Sequence, residues 1–303
     1  MKLVAVGTVA FDEIETPFGS SGKIVGGAAT YIGLSASLLT RGVGIVSVIG
    51  EDFPRETLDF MRQRGIDLEG LEVLPGQKSF FWAGRYHYDM NSRDTLATEL
   101  NVLLGFNPKL PEAYTNCEYL MLGNLDPAIQ NAVIDQIPRR PKLVVLDTMN
   151  FWMDQAWNEL MRVIARVDVI TINDAEARQL SGEHSLVKAA RKILAMGPAY
   201  VVIKKGEHGA LLFHGDQVFV APALPLEDVV DPTGAGDSFA GGLIGHIART
   251  GEVSFRSLKQ GIVVGSAIAS FTCERFGTAR LESLGIREIE ERVKEFERLV
   301  GVE

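Results

Sequence analysis

The chain has 303 residues, 46% hydrophobic and 23% charged, a globular mix with material for one large or two ordinary domains. Its formal net charge of -9 excludes binding to nucleic acid or an anionic membrane through a general field, but not a local grip on an anion by clustered backbone N–H groups. Cys117 and Cys273 give no disulfide framework, and His87, His184, His208, His214 and His246 show no metal-binding spacing, so a reducing compartment and no structural metal are expected.

The chain opens on a short apolar run, residues 3–6, followed by Asp12, Glu13 and Glu15. That run is too short and too acidic in its sequel for a signal peptide, and no window approaches the roughly 18 apolar residues of a spanning helix, so a cytoplasmic protein is expected. Further β-branched runs follow at residues 45–49, 119–122, 143–146, 169–172 and 201–203, each ending at a polar or glycine-rich turn. Such runs suit strands buried on both faces of a parallel sheet. Helical spacing appears between several of them, at residues 28–39, 175–180, 186–196 and in the stripe Phe239, Leu243, Ile244 and Ile247. The alternation predicts a three-layer α/β fold: a mostly parallel central sheet flanked by helices. Ligands then belong beyond the carboxyl ends of the strands.

Residues 79–89 break the pattern. Phe80, Trp82, Tyr86 and Tyr88 fall on one parity and Ala83, Arg85, His87 and Asp89 on the other, which predicts a half-buried strand. It is read as part of a small β lid projecting from the main sheet; an ordinary antiparallel edge strand has the same periodicity. Residues 286–300 read as an amphipathic, charged terminal helix with a structural role.

The strongest chemical signal is Asp231-Pro232-Thr233-Gly234-Ala235-Gly236-Asp237, leading into a helix expected from Ser238. Gly234, Ala235 and Gly236 let the backbone turn tightly, and their N–H groups converge at a helix N-terminus, which favours an anion. Phosphoryl transfer places its charge on phosphoryl oxygens, and Asp237 at the end of the loop is placed to accept the proton of an attacking hydroxyl. The dipole is expected to lower the pKa of Asp237. Taken alone, an acid at this position reads first as a helix N-cap or first-turn acid, which the dipole also favours.

This loop resembles the C-terminal signature of the ribokinase-like (PfkB) carbohydrate kinases, and other landmarks of that family follow in order. Gly26-Gly27-Ala28-Ala29 resembles the N-terminal sugar-pocket signature, Asp12 the acid that holds substrate hydroxyls, and Asn173-Asp174-Ala175-Glu176 the Asn-x-x-Glu motif. Gly206-Glu207-His208-Gly209 resembles the G-x-x-G turn beside the nucleotide, and Phe276-Gly277-Thr278 the late loop near the adenine. The resemblance covers nearly the whole chain and implies one kinase domain over residues 1–303, with a small β lid from about 12–25 and 77–95.

The resemblance implies an ATP-dependent kinase using Mg2+, with Asp237 as base and the Gly234–Asp237 N–H groups as anion hole. Asp12, Gly26 and Gly27 would hold substrate hydroxyls. Asn173, Lys204, Gly206, Gly209 and Gly277 would line the nucleotide site, and Glu176 would hold magnesium through water. Asp231 would bind a monovalent cation such as K+, or simply form a turn before Pro232. The chain departs from the family at Tyr31, where many relatives carry Asn, and at Lys204, where many carry Thr. Tyr31 is read as able to stack on a substrate ring. Lys204 or Lys205 either reaches a phosphate or faces solvent, and Arg85, His87, Asn124 and Asn150 either touch substrate or do not. The expected acceptor is a sugar or sugar-like alcohol, with a nucleoside as the alternative. The apolar lid face suggests a homodimer through paired lids. A dehydrogenase is disfavoured because the Gly-x-Gly lies late in the chain rather than after the first strand.

Overall fold

The computed structural model describes residues 1–300. The strands are β1 (Leu3–Val6), β2 (Ala10–Thr16), β3 (Gly19–Gly26), β4 (Val43–Gly50), β5 (Ile66–Asp67), β6 (Leu71–Leu74), β7 (Phe81–Tyr86), β8 (Arg93–Glu99), β9 (Tyr119–Leu122), β10 (Leu143–Asp147), β11 (Val169–Asn173), β12 (Tyr200–Lys204), β13 (Ala210–His214) and β14 (Gln217–Ala221). The helices are α1 (Ala28–Ser37), α2 (Arg55–Gln63), α3 (Pro127–Asp135), α4 (Asn150–Gln155), α5 (Trp157–Ile164), α6 (Asp174–Ser181), α7 (Leu186–Leu194), α8 (Ala235–Thr250), α9 (Phe255–Thr272), α10 (Ala279–Ser283) and α11 (Ile286–Val300).

The main sheet runs β14-β13-β12-β11-β10-β9-β1-β4-β5, with β6 also on β4. From β12 to β5 the pairing is parallel, and β13 and β14 close one edge antiparallel. The three-layer α/β expectation holds, and the reason is visible in single strands. Leu3 and Ala5 pack with Ile32 of α1 and Leu243 of α8 on one face. Val4 and Val6, one residue out of phase, pack with Val133 of α3, Leu160 of α5 and Ile193 of α7 on the other. A strand with both parities apolar must be covered on both faces.

On the first face α8 packs closely on α1 and α9. A Cβ on Gly242 would stand 2.8 Å from the Gly265 backbone, and one on Gly241 2.5 Å from the Ile32 carbonyl oxygen. Small residues therefore set how near α8 lies to its neighbours, and so where its N-terminus points.

A second, four-stranded sheet, β3-β2-β7-β8, stands apart from the first. β7 pairs parallel with β2 and antiparallel with β8. The strand expected over residues 79–89 is confined to Phe81–Tyr86, and its alternation is broken: Ala83 and Gly84 are both buried, and only Arg85 and Tyr86 part to an exposed and a buried side. The register of β7 against β8 shifts between Ala83 and Gly84, and Tyr88 lies in the following turn, 81% exposed. The strand stops at Tyr86 because Asp89 gathers the turn: its carboxylate accepts from the N–H groups of Asn91 and Ser92.

Candidate active site

The carboxyl ends of β10, β11 and β12 meet the start of α8. The α8 helix begins at Ala235, not at Ser238, so Asp237 sits inside the first turn. Gly234, at φ 75°, is the N-cap; a Cβ there would run into the Tyr31 ring. Only a residue without a side chain takes this backbone over this neighbour. The N–H of Ala235 reaches the Pro232 carbonyl, and that of Ser238 the Gly234 carbonyl. Among the described residues no acceptor takes the N–H groups of Gly236 and Asp237, which stand open at the helix start.

Asp231 anchors the loop. It is fully buried, and its carboxylate accepts from Thr233 N–H at 2.8 Å and Gly277 N–H at 3.1 Å. One oxygen thus braces the 231–237 loop internally and the other ties it to the late 276–278 loop, and Gly277 serves that tie, packed near Ile24 of β3.

Asp237 has its pKa raised to about 7, first by burial, then by Asp147, against the opposing pull of Lys204 and Arg93. The expected lowering by the helix dipole does not prevail: the dipole acts on a carboxyl crowded by protein and by a second carboxylate. Glu176 behaves alike, raised to about 7 chiefly by burial. It forms a capping box: its carboxylate accepts from Asn173 N–H at 2.7 Å, and the Asn173 side chain accepts from Glu176 N–H at 2.8 Å. The pair is therefore fixed in orientation by helix capping. No group of three or more His, Cys, Asp or Glu among the described residues is placed to hold a metal directly.

Lys204 does not face solvent. Its ammonium bonds the buried Asp147 carboxylate at 2.7 Å, with 18% of the side chain exposed. A Cβ on Gly236 would stand 3.1 Å from that nitrogen, so the ammonium borders the glycine turn at the start of α8. Gly206 and Gly209 shape the turn after β12, both with positive φ.

Asp12, on β2, is buried, and its pKa is raised to about 7 by burial, against the N–H of Gly27, with Asp231 and Asp237 adding to the rise. Gly26 must lack a side chain because a Cβ would occupy the place of the Asp12 carboxylate. Gly27 caps α1 at φ 93°. Tyr31 is 1% exposed, so its ring supports Gly234 from beneath and does not line the open site as a stacking platform. Its hydroxyl has no partner, and its pKa stands well above the usual value through burial, with Asp12, Asp231 and Asp237 adding.

Three other sequence candidates are engaged elsewhere. The Asn124 amide accepts from Trp152 Nε1 at 2.8 Å and lies against Met149 Sδ. Arg85 is exposed and paired with Glu15 at 2.6 Å. His87 is likewise exposed, beside Asp94.

The residue of the small sheet that does meet this acid cluster is Arg93, opposite Tyr86 across the β7–β8 pair. Its guanidinium lies over the rings of Trp82 and Tyr86, at 5.5 and 5.9 Å, and its charge lowers the pKa of Asp12, Asp237 and Glu176. Residue type alone did not separate it from Arg85; the pairing register did. The Thr233 hydroxyl donates to the Tyr86 hydroxyl at 3.2 Å, and Asn91 lies against Gly206. The small sheet thus spans from the anion loop to the G-x-x-G turn.

Residues 4–283 match the pfkB family of carbohydrate kinases. The chain belongs to that family. It is 32% identical to a cytidine kinase of Thermococcus kodakarensis over 82% of this chain and 89% of the relative. The fold matches a nucleoside kinase of Burkholderia thailandensis in complex with inosine, with a TM-score of 0.77, 21% identity and coverage of 97% of both chains. It also matches a putative ribokinase II of E. coli in complex with ATP and magnesium, with a TM-score of 0.77, 20% identity and coverage of 97% and 99%. The pfkB kinase is accordingly an ATP-dependent phosphotransferase acting on a sugar or nucleoside hydroxyl. Among its described residues no helix is long and apolar enough to cross a membrane.

Proposed function

We propose that the acceptor is a nucleoside, phosphorylated on a ribose hydroxyl with Asp237 as general base. One observation carries the acceptor reading: Trp82 pairs in register with Asp12 across β2 and β7, so an aromatic ring stands beside the acid suited to ribose hydroxyls. Arg93 over Trp82 and Tyr86 completes a face suited to a planar base. The likeness to a cytidine kinase supports the same choice.

In this reading Asp12, steadied by the N–H of Gly27, holds the ribose beside the Gly26-Gly27 turn, and the small sheet acts as the lid. The acceptor oxygen forms the new bond to the γ-phosphorus, and its proton passes to Asp237. The bond from that phosphorus to the bridging oxygen breaks, and the electron pair leaves with ADP. Open N–H groups of Gly236 and Asp237 receive the charge of the phosphoryl oxygens. The turn at Gly206 and Gly209 and the 276–278 loop would flank the nucleotide. The residues fit a magnesium carried by the nucleotide: Glu176 and Asn173 offer hard oxygens near the phosphates, suited to an ion that keeps its waters and neutralises phosphate charge. Asp231, tying two loops, would adjoin any monovalent cation, and added K+ should then raise turnover. Light scattering tests the proposed dimer.

Coupled ADP-release assays with cytidine, uridine, inosine, adenosine, ribose and fructose 6-phosphate test the acceptor. A nucleoside should give the highest kcat/KM. Preference for ribose or a sugar phosphate over every nucleoside would overturn the reading.

A further inference from the structure

Lys204 and Asp147 end β12 and β10, two strands separated by β11, so the side chains meet across the end of the strand between them, and neither is a loop residue. Asp147 is buried at the last position of its strand. Lys204, last in β12, lies in register with Asn173 of the capping box. Its ammonium spends one of its N–H donors on Asp147. No other acceptor takes it among the described residues, and it borders Gly236.

The charges around Asp237 make this placement informative. The groups facing it are Asp147 and Glu176, both acids, and Lys204 and Arg93, both cations. A site that must receive several phosphate negative charges is thus walled by three carboxylates. Arg93 reaches it from the exposed edge of the small sheet, whereas Lys204 is fixed from within. An ammonium is a compact charge on a rotatable stem, able to exchange one oxygen for another without moving its backbone.

We propose that Lys204 is a side-chain arm of the anion hole. Its ammonium, held on Asp147 before the nucleotide arrives, donates to an oxygen of the migrating phosphoryl group during transfer, and Asp147 is the positioning residue that stores it. The Lys204 proton stays on nitrogen throughout; the hydroxyl proton still goes to Asp237. The inference rests on the assignment of the 234–237 loop as the phosphoryl site. It goes further in giving Asp147 a role and in moving Lys204 from general nucleotide contact to charge that matters most in the transition state.

The test uses the full chain. Lys204→Met leaves Asp147 as an unpaired buried charge and risks misfolding. The neutral double variant Asp147→Asn with Lys204→Met removes both charges and guards against that. Calorimetric titration with magnesium and ADP, then with magnesium, ADP, aluminium fluoride and cytidine, separates ground-state from transition-state-like binding. Both variants should bind ADP within about threefold of wild type yet lose roughly 10²- to 10³-fold in affinity for the aluminium fluoride complex and in kcat, the span for removing one oxyanion donor. Lys204→Arg should recover part of that loss. Asp147→Asn alone should shift the acid limb of kcat/KM to lower pH, because one carboxylate facing Asp237 has lost its charge.

A neutral double variant that binds the fluoride complex as tightly as wild type overturns the proposal. So does an equal loss of ADP alone, which assigns Lys204 to the ground-state nucleotide. If wild type itself forms no fluoride complex and Asp237→Asn keeps normal turnover, the fault lies with the loop assignment. An inactive Asp237→Asn beside a fully active double variant condemns only the role of Lys204.

Discussion

The two halves of the site are built differently. The proposed phosphate half grows out of the main sheet: Asp147, Asn173 and Lys204 end buried parallel strands, and Asp237 lies in the first turn of a helix whose packing is set by glycines. The proposed acceptor half is built on the four-stranded sheet, with Asp12 on its inner strand β2 and an outer strand, β8, exposed at nearly every position. In the first half burial raises Asp237 and Glu176 to about 7, with Lys204 and Arg93 opposing the rise; in the second, burial raises Asp12 alike, and what differs is that only the first half fixes a cation from within the main sheet. The second half is the proposed cover for the acceptor, and its exposed edge can change composition at little cost to the core.

The largest effect should come from the phosphate half. Asp237→Asn should lower kcat by roughly 10²- to 10⁴-fold while sparing ATP affinity, as expected for loss of a general base. Wild-type kcat/KM should rise with pH through about 7, the pKa of Asp237, since the base must be deprotonated. The same substitution should stabilise the ligand-free protein at high pH. Asp237 has a folded pKa of about 7 against an ordinary 3.8, so the native state keeps a proton that the unfolded chain has lost. Its contribution to stability is full below the lower value and is lost as pH rises through the higher. Thermal melts should therefore show Asp237→Asn above wild type at pH 8 and level with it near pH 4.

Gly234→Ala comes next. The new Cβ meets the Tyr31 ring at a positive φ, and such strain costs about 1–3 kcal/mol. Turnover should fall with stability because the same backbone aims the open N–H groups; an unchanged melting temperature would break the link between Tyr31 and the loop.

The acceptor half should respond less. Tyr86→Phe removes the contact to Thr233, and one hydrogen bond of net value about 0.5–1.5 kcal/mol predicts a roughly two- to tenfold rise in acceptor KM with kcat little changed. Arg85→Ala should be nearly silent in kinetics and melting, since its partner Glu15 is exposed and lies away from the carboxylate cluster. An Arg85 effect as large as that of Tyr86 would show that the two faces of the small sheet have been exchanged.

The core strands and the glycine loop were legible in the sequence because both depend on local rules. Apolar runs on both parities require a buried parallel strand, and Gly234-Ala235-Gly236 before a helix requires an anion-accepting turn. The candidates that failed were those whose chemistry depends on distant neighbours. Tyr31 is an aromatic near a pocket signature, but its ring is spent beneath a glycine more than two hundred positions later. Arg85 and Arg93 are both arginines on lid strands, and only the register across a bulged pair decides which one faces the acids.

The sequence by itself determined the layered fold and the glycine turn that leads into the helix bearing Asp237, because hydrophobic periodicity and backbone freedom are properties of neighbours along the chain. Only the tertiary structure decided that Asp237 is pushed upward in pKa, that Lys204 is held on Asp147 and that Arg93 replaces Arg85 at the site. Burial and Coulomb forces act through space, and strands far apart in sequence bring those charges within reach of one another.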